Sequence, residues 1–355
     1  MRQRRMHAAT IALGLALVLV SSAAMAQYQL TNLNSNQVKW ALHDDPLLVN
    51  AWGLVHAPGS PWWVSDENSG WSTLYDGSGN TIQKLRVLIP TAGNGPSSPA
   101  GLNGPGSPTG IVYNGSQEFQ VGGWVSIFLF ATLDGTISGW APQTNFNQAI
   151  VAPLQNQPKG AVYTGLAITS KASGNFLYAA DLANSQVEIF DANFNFVKAF
   201  TDSTLPAGFA PFGVRDINGI VYVTFASSTG ASGGFVEQFL EDGTAVTPGK
   251  PLIQGVPLNQ PWGIAAAPKN FGPLSNTLLI SNNTNAATIN AFDLVSGKFV
   301  GTVKDMNGKA IVIDQLWGID FGDGLGNNGA ANQLYFAAGP SGNRAGTLGK
   351  IVFKP

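Results

Sequence analysis

The sequence lacks cysteine altogether, and it has only three histidines and few charged residues, which make up 11% of its 355 positions. Without cysteine the chain can form no disulfide and has no thiol for lipid attachment. The net charge is −2, and no cluster of lysine and arginine follows residue 5. Because nothing here could neutralise a row of phosphates, neither nucleic acid nor an anionic membrane surface is an expected partner.

Long apolar runs are also absent, except near the start of the chain. A basic segment, "MRQRR", precedes an apolar run over residues 8–20 and an A-x-A motif at residues 24–26. This pattern predicts a cleaved signal peptide over residues 1–26. No later run is long enough to span a bilayer, so we expect a single mature domain over residues 27–355, without membrane insertion, in the periplasm or secreted.

Glycine and hydrophobic residues are what the sequence has in abundance, with 43 glycines and a hydrophobic fraction of 44%. One glycine recurs between a bulky or threonine residue and an aliphatic one, at intervals of 48 to 57 residues. Its six copies are Gly53, Gly110, Gly165, Gly213, Gly263 and Gly318. Six units of this length are typical of propeller blades.

Each unit consists of short β-type runs separated by turn residues, and helical periodicity is nearly absent. The third unit shows this best, with "TGLAITS", "NFLYAADLANS", "QVEIFDANFN" and "FVKAFTD". We therefore predict an all-β fold, a six-bladed β-propeller with four-stranded blades. The sixth unit has only three strands, so the N-terminal strand at residues 28–33 is expected to complete it. A pair of β-sandwich domains is the alternative.

The recurring glycine has a physical explanation in such a fold. The first strand of each blade lines the central channel, where a glycine permits close backbone approach or a kink. Trp52, Trp262 and Trp317 precede three of these glycines. A tryptophan near the channel mouth can wedge adjacent blades apart or stack against a ligand, and its recurrence favours packing.

Residues 176–191, "FLYAADLANSQVEIFD", resemble an NHL-type propeller repeat. The mature chain as a whole resembles an uncharacterised family of secreted bacterial six-bladed propeller proteins, through its "WG[LI]" units, "PWWVSDENSGWSTLYDGSG" and "FLFATLDGTISGW". The resemblance implies the fold and carries no reaction. Wider six-bladed relatives include calcium-dependent lactonases of the gluconolactonase type and streptogramin lyases.

A lactonase-like metal site would need several oxygen ligands at the channel mouth. Asp66, Asp181 and Asn282 each follow the second strand of a blade and are the candidate ligands for Ca²⁺, while Asp216 and Asp320 lie further along their inner strands. Aspartate and asparagine in such turns also cap their own backbone, and this alternative stays open.

Histidine limits the remaining chemistry. His43 precedes two aspartates in "HDDP" and is expected near the channel mouth, either as half of a His–carboxylate pair or in a solvated loop. His56 lies on the first inner strand, where a hydrogen-bonded structural role competes with catalysis. Residues 89–108, rich in proline and glycine, are expected to form a long loop over one face.

These features predict a non-catalytic propeller that binds a small molecule or an extracytoplasmic protein at its channel mouth. The predicted ligand-binding residues are Trp52, Asp66, Asp181, Trp262, Asn282, Trp317 and His43. A metal-dependent lactonase or lyase at the same mouth is the alternative function, with Ca²⁺ as its possible cofactor.

Overall fold

The computed structural model describes residues 27–82, 85–91, 105–169 and 174–355. The predicted signal peptide over residues 1–26 and most of the predicted loop, residues 92–104, lie outside the described residues. Among the residues described, no helix combines the length and the apolar character needed to cross a membrane.

The six blades are five four-stranded antiparallel sheets and one sheet, blade six, in which a short fifth strand adds parallel to the edge of four antiparallel strands. Blade one contains β3 (Ala51–Val55), β4 (Trp62–Asp66), β5 (Trp71–Tyr75) and β6 (Val87–Leu88). Blade two contains β7 (Pro108–Tyr113), β10 (Phe128–Thr132), β11 (Ile137–Trp140) and β12 (Ile150–Val151), with a hairpin of β8 (Gln120–Val121) and β9 (Trp124–Val125) inserted. Blade three contains β13 (Tyr163–Ile168), β14 (Leu177–Asp181), β15 (Gln186–Phe190) and β16 (Phe196–Phe200).

The second half of the chain repeats this plan. Blade four contains β17 (Phe209–Ile217), β18 (Ile220–Ser227), β19 (Phe235–Leu240) and β20 (Ile253–Gln254). Blade five contains β21 (Pro261–Ala266), β22 (Thr277–Asn282), β23 (Ile289–Asp293) and β24 (Phe299–Thr302). Blade six contains β25 (Leu316–Phe321), β26 (Gln333–Ala338), β27 (Thr347–Lys354) and β1 (Gln27–Ser35), with β2 (His43–Asp44) at its edge. Short helical turns lie at Gly272–Leu274 and Pro340–Asn343.

The six first strands contact one another in a closed ring, because β25 of blade six packs beside β3 of blade one. The predicted six-bladed propeller is confirmed. Apolar side chains fill the spaces between neighbouring blades, as where Trp63 of blade one stacks on Phe128 of blade two with ring centroids 4.2 Å apart. Burial between sheets, rather than within one, supplies the core.

The N-terminal strand closes the ring as predicted. β1 pairs antiparallel with β27, from Gln27 opposite Lys354 to Ser35 opposite Thr347, and so forms the fourth strand of blade six. Its Tyr28 is buried and donates a hydrogen bond of 2.7 Å to the carbonyl oxygen of Phe271 in blade five. The chain ends therefore hold each other within one sheet.

The recurring glycines mark the points where neighbouring inner strands approach most closely. Each lies at a β-bulge of the first strand in its blade. A Cβ at Gly263 would lie 2.6 Å from the carbonyl oxygen of Trp317 in the next blade, and the other five glycines likewise face backbone of the following inner strand. The space around the channel thus excludes any side chain at these positions.

Candidate functional site

The channel has two unlike ends, which we name by the direction of the six inner strands. The start face is the face where these strands begin, and the end face is the face where they finish. Each inner strand runs from a residue before the recurring glycine, near the start face, toward residues such as His56 near the end face. The two ends differ because an aromatic residue precedes the glycine in four blades, whereas a branched aliphatic residue follows it in all six.

An aromatic plug, made of Trp52, Phe212, Trp262 and Trp317, fills the channel at the start face. Trp52 and Trp317 stack with ring centroids 3.6 Å apart and an interplanar angle of 16°. Trp262 meets both rings edge-on, at 6.3 and 6.0 Å. Phe212 contacts Trp317 at 5.6 Å. Because rings from non-adjacent blades touch, the plug lies across the channel axis.

The plug is a packed structure and not an open stacking surface. Trp52 and Trp317 are only 5% and 3% exposed. The indole N–H of Trp317 donates to Asn50 Oδ1 at 2.9 Å, and that of Trp262 to the Thr164 carbonyl at 2.9 Å. The structure thus brings the three predicted tryptophans together, in the packing role that their recurrence favours.

Beyond the plug, toward the end face, the channel widens into a cavity of about 340 Å³, which we call the channel pocket. Its walls are the aliphatic side chains that follow the glycines, including Leu54, Ile111, Leu166, Val214 and Ile264. The plug blocks the other end. This volume lies in the range of pockets that bind small molecules, and its apolar walls with few polar groups are typical of them.

One ion pair crosses this pocket. Arg215 of blade four places Nη2 2.8 Å from Asp320 Oδ2 of blade six, with side-chain exposures of 36% and 14%. Both residues stand two positions after their blade's glycine. The residues at that position around the ring are Val55, Val112, Ala167, Arg215, Ala265 and Asp320. The pair can span blade five because that blade contributes only Ala265 there.

Arg215 keeps most of its hydrogen-bonding capacity. Its guanidinium has five N–H donors, and within the described part of the chain only Nη2 has an acceptor. Asp320 is better satisfied, since its Oδ1 also accepts the backbone N–H of Phe321 at 2.8 Å. The remaining arginine donors are therefore available to a ligand in the pocket.

His56 and Asp216 also line the pocket, nearer its mouth. The ring nitrogens of His56 lie 3.0 Å from the Phe321 carbonyl and 3.1 Å from the Ala57 carbonyl, and its ring packs edge-on against Trp62. Asp323 lies 3.6 Å from Nδ1. These contacts hold the imidazole as part of the pocket wall. This is the structural role that the sequence analysis gave as the alternative to catalysis.

Asp181 and Asn282 cap their own loops. Asp181 Oδ1 accepts backbone N–H groups of Val162, Ala183 and Asn184, and Asn282 Oδ1 accepts that of Asn259 at 2.9 Å. These side-chain oxygens accept hydrogen bonds from nearby backbone, as aspartate and asparagine in turns commonly do.

Asp66 has the same position in blade one and a different environment. Its side chain is fully buried, and neither carboxylate oxygen has a hydrogen-bond partner. Burial raises the pKa of Asp66 well above its usual value, and the charge of Asp45 adds to the rise. Asp66, Asp181 and Asn282 lie on alternating blades, one strand away from the channel. In the described ranges, no group of three or more histidine, cysteine, aspartate or glutamate residues could hold a metal ion.

His43 lies away from the channel. It pairs with Asn34 at the edge of blade six, beside the outermost strand. The expectation that the "HDDP" segment approaches the channel mouth is not met, because the closing strand carries this segment to the rim before the chain returns to blade one. Sequence reasoning thus noted Asp216 and Asp320 but missed Arg215, which an alignment on the glycines would have shown as the only cation at its ring position.

Comparison with known proteins supports the fold and leaves activity open. No protein-family model matches the chain. Two uncharacterised proteins of Acanthamoeba polyphaga mimivirus are similar, one 29% identical over 92% of this chain and 81% of its own length, the other 28% identical over 93% and 87%. The predicted bacterial family and NHL-type repeat stay predictions.

Solved propellers of similar fold include a streptogramin B lyase, with a TM-score of 0.52 and 13% identity over 94% of this chain and all of that one. A glucose dehydrogenase gives a TM-score of 0.54 with 12% identity over 91% and 98% of the two chains. A Bacteroides thetaiotaomicron protein of unknown function gives 0.58 with 11% identity over 93% and 76%. Identities this low show a shared fold alone.

Proposed function

We propose that the protein is a non-catalytic binding propeller that holds a small apolar molecule carrying one anionic group in the channel pocket. The observation that carries this proposal is Arg215, whose guanidinium has donors left after its ion pair with Asp320 and lines a cavity of about 340 Å³ with mostly aliphatic walls. Because of the predicted signal peptide, we place this activity in the periplasm or outside the cell.

The walls select for an apolar body. Burying aliphatic and aromatic ligand surface against these side chains contributes about 25 cal/mol per Å². The aromatic plug limits the ligand's length, since it closes the far end and leaves the end face as the entrance. A ligand therefore enters with its apolar part foremost or lies across the pocket beneath Arg215.

The polar groups select for a single negative charge. A guanidinium matches a carboxylate through two parallel hydrogen bonds, and Arg215 has donors left after its contact with Asp320. Asp216 and Asp320 line the same pocket, so a second negative charge on the ligand would be repelled. A monocarboxylate with an apolar chain or ring meets both conditions.

The experiment titrates short- and medium-chain alkanoates and benzoate into the protein, with tryptophan fluorescence as the signal because Trp262 lines the pocket. Arg215→Met keeps the apolar stem and removes the charge. Arg344→Met, at an exposed position, is the matched control. We expect at least one of these anions to bind the wild type and Arg344→Met alike, and to bind Arg215→Met about tenfold more weakly or worse.

Two results would defeat the proposal. If none of the carboxylates binds the wild type, or if Arg215→Met binds them equally well, Arg215 is not a ligand-binding group. The alternative function, a metal-dependent lactonase or lyase, predicts turnover of a lactone or cyclic ester that chelation abolishes. Such turnover would replace the non-catalytic assignment.

A further inference from the structure

A second polar site lies in the interior, at the junction where the ring closes, and it is independent of the channel pocket. Asp66, at the end of β4, has two carboxylate oxygens without a hydrogen-bond partner. Thr73 on the neighbouring strand β5 is 1% exposed, and its hydroxyl also lacks a partner. The two side chains lie on the same face of blade one, since Thr73 pairs with Val64, two residues before Asp66.

Buried polar atoms in native proteins almost always have partners, so this group needs an explanation. The same position in blade three shows what a satisfied site looks like, because Asp181 there accepts three backbone N–H groups and the side chain of Asn184. Asp66 has no equivalent donors. The difference arises from the surroundings and not from the position in the blade.

The surroundings of Asp66 are rich in oxygen. Asp45 is buried nearby, and its Oδ2 accepts the Tyr75 hydroxyl at 3.1 Å. Asp45 is the charged residue that acts on the Asp66 carboxyl. Asp45 is satisfied, because its Oδ1 also accepts the backbone N–H of Leu47 at 3.0 Å, whereas the two carboxylate oxygens of Asp66 have no donor.

We propose that Asp66, Thr73 and Asp45 hold a hard divalent cation of the calcium class. All the available ligand atoms are oxygens, which Ca²⁺ prefers, and Ca²⁺ tolerates irregular coordination better than Mg²⁺ does. One divalent ion neutralises the two carboxylates. It also supplies the partner that both Asp66 oxygens and the Thr73 oxygen lack.

The position gives this cation a structural role. Asp45 belongs to the segment that leads from β1 and β2 of blade six to β3 of blade one, and Asp66 belongs to blade one itself. A cation between them ties the closing segment to the first blade.

The test measures thermal unfolding of the protein in EDTA and in millimolar CaCl₂, and terbium luminescence sensitised by Tyr75. We expect Ca²⁺ to raise the unfolding midpoint by a few degrees, as linkage requires of an ion that binds the folded state. Asp66→Asn should abolish both signals and Thr73→Val should weaken them. Asp181→Asn, at the matched position in blade three, should leave both unchanged.

Several results would overturn the site. An unchanged midpoint with Ca²⁺ together with no terbium signal excludes it. A Ca²⁺ response of equal size in Asp66→Asn places the ion elsewhere. If Asp66→Asn is more stable than the wild type in EDTA and the wild type ignores Ca²⁺, Asp66 is a neutral buried carboxyl. Should Asp66→Asn not fold, the Thr73→Val variant decides, because a Ca²⁺ response equal to that of the wild type would exclude Thr73 and this site. Because none of these measurements involves carboxylate ligands, failure here does not touch the channel pocket.

Discussion

The closing strand should carry a measurable share of the stability, and Tyr28 offers the cleanest test. Its hydroxyl donates to the Phe271 carbonyl at 2.7 Å and accepts the Leu274 N–H at 3.3 Å. Tyr28→Phe leaves both backbone groups buried without partners, which costs about 1 to 3 kcal/mol. Tyr28→Ala also empties a packed aromatic site beside Phe353, and costs about 3 to 5 kcal/mol.

The assay is thermal unfolding followed by circular dichroism or calorimetry. For a chain of this size each kcal/mol lowers the midpoint by about 2 to 4 °C, so Tyr28→Phe should lose several degrees and Tyr28→Ala roughly twice that or more. Tyr113→Phe is the matched control, since the Tyr113 hydroxyl makes no hydrogen bond to the described residues. Deleting residues 28–33 should destabilise the whole ring. Closure by this strand would be refuted if the deletion protein unfolded at the same temperature as the full mature chain. It would also be refuted if Tyr28→Ala were as stable as Tyr113→Phe.

Two further predictions concern the ring and the pH. Gly263→Ala should lower the free energy of unfolding by about 1 to 3 kcal/mol, because its Cβ would lie 2.6 Å from the Trp317 carbonyl oxygen. Gly301→Ala is the control and should be nearly neutral, because its Cβ would lie 3.4 Å from the nearest atom. Equal losses in the two variants would contradict the close-approach explanation. Burial and the Asp202 carboxyl raise the pKa of Glu237 to about 8 from 4.5. The folded state then holds a proton that the unfolded state releases, so stability should fall as pH rises from about 5 to about 8. Glu237→Gln should remove that part of the fall, and an unchanged pH profile in this variant would exclude Glu237 as its source.

The blades and their closure could be predicted from the sequence because they depend on local pattern. Alternation within short strands and a glycine at a nearly constant interval determine each blade, whatever the residues of the other blades are. The role of the N-terminal strand could be predicted by counting strands, because the sixth unit has only three of its own. The close approach at Gly263 and its equivalents is the physical cause of the repeat, so the repeat itself carried the information.

The candidate sites depended on contacts between distant blades, which the sequence does not display. Arg215 and Asp320 lie 105 residues apart, and their ion pair forms because blade five has Ala265 between them. Asp66 and Asp181 occupy equivalent positions, yet only Asp181 finds donors. The tryptophans were predicted near the channel, but their stacking across the axis requires the closed ring.

The most direct test of channel binding compares benzoate with benzamide, which differ in charge and hardly in shape, by calorimetric titration of the wild type and Arg215→Met. If Arg215 binds the anionic group, replacing it should weaken benzoate by about tenfold or more and leave benzamide nearly unchanged. Equal effects on the two ligands, or no benzoate binding in either protein, would contradict the assignment of Arg215 and the channel pocket as the binding site.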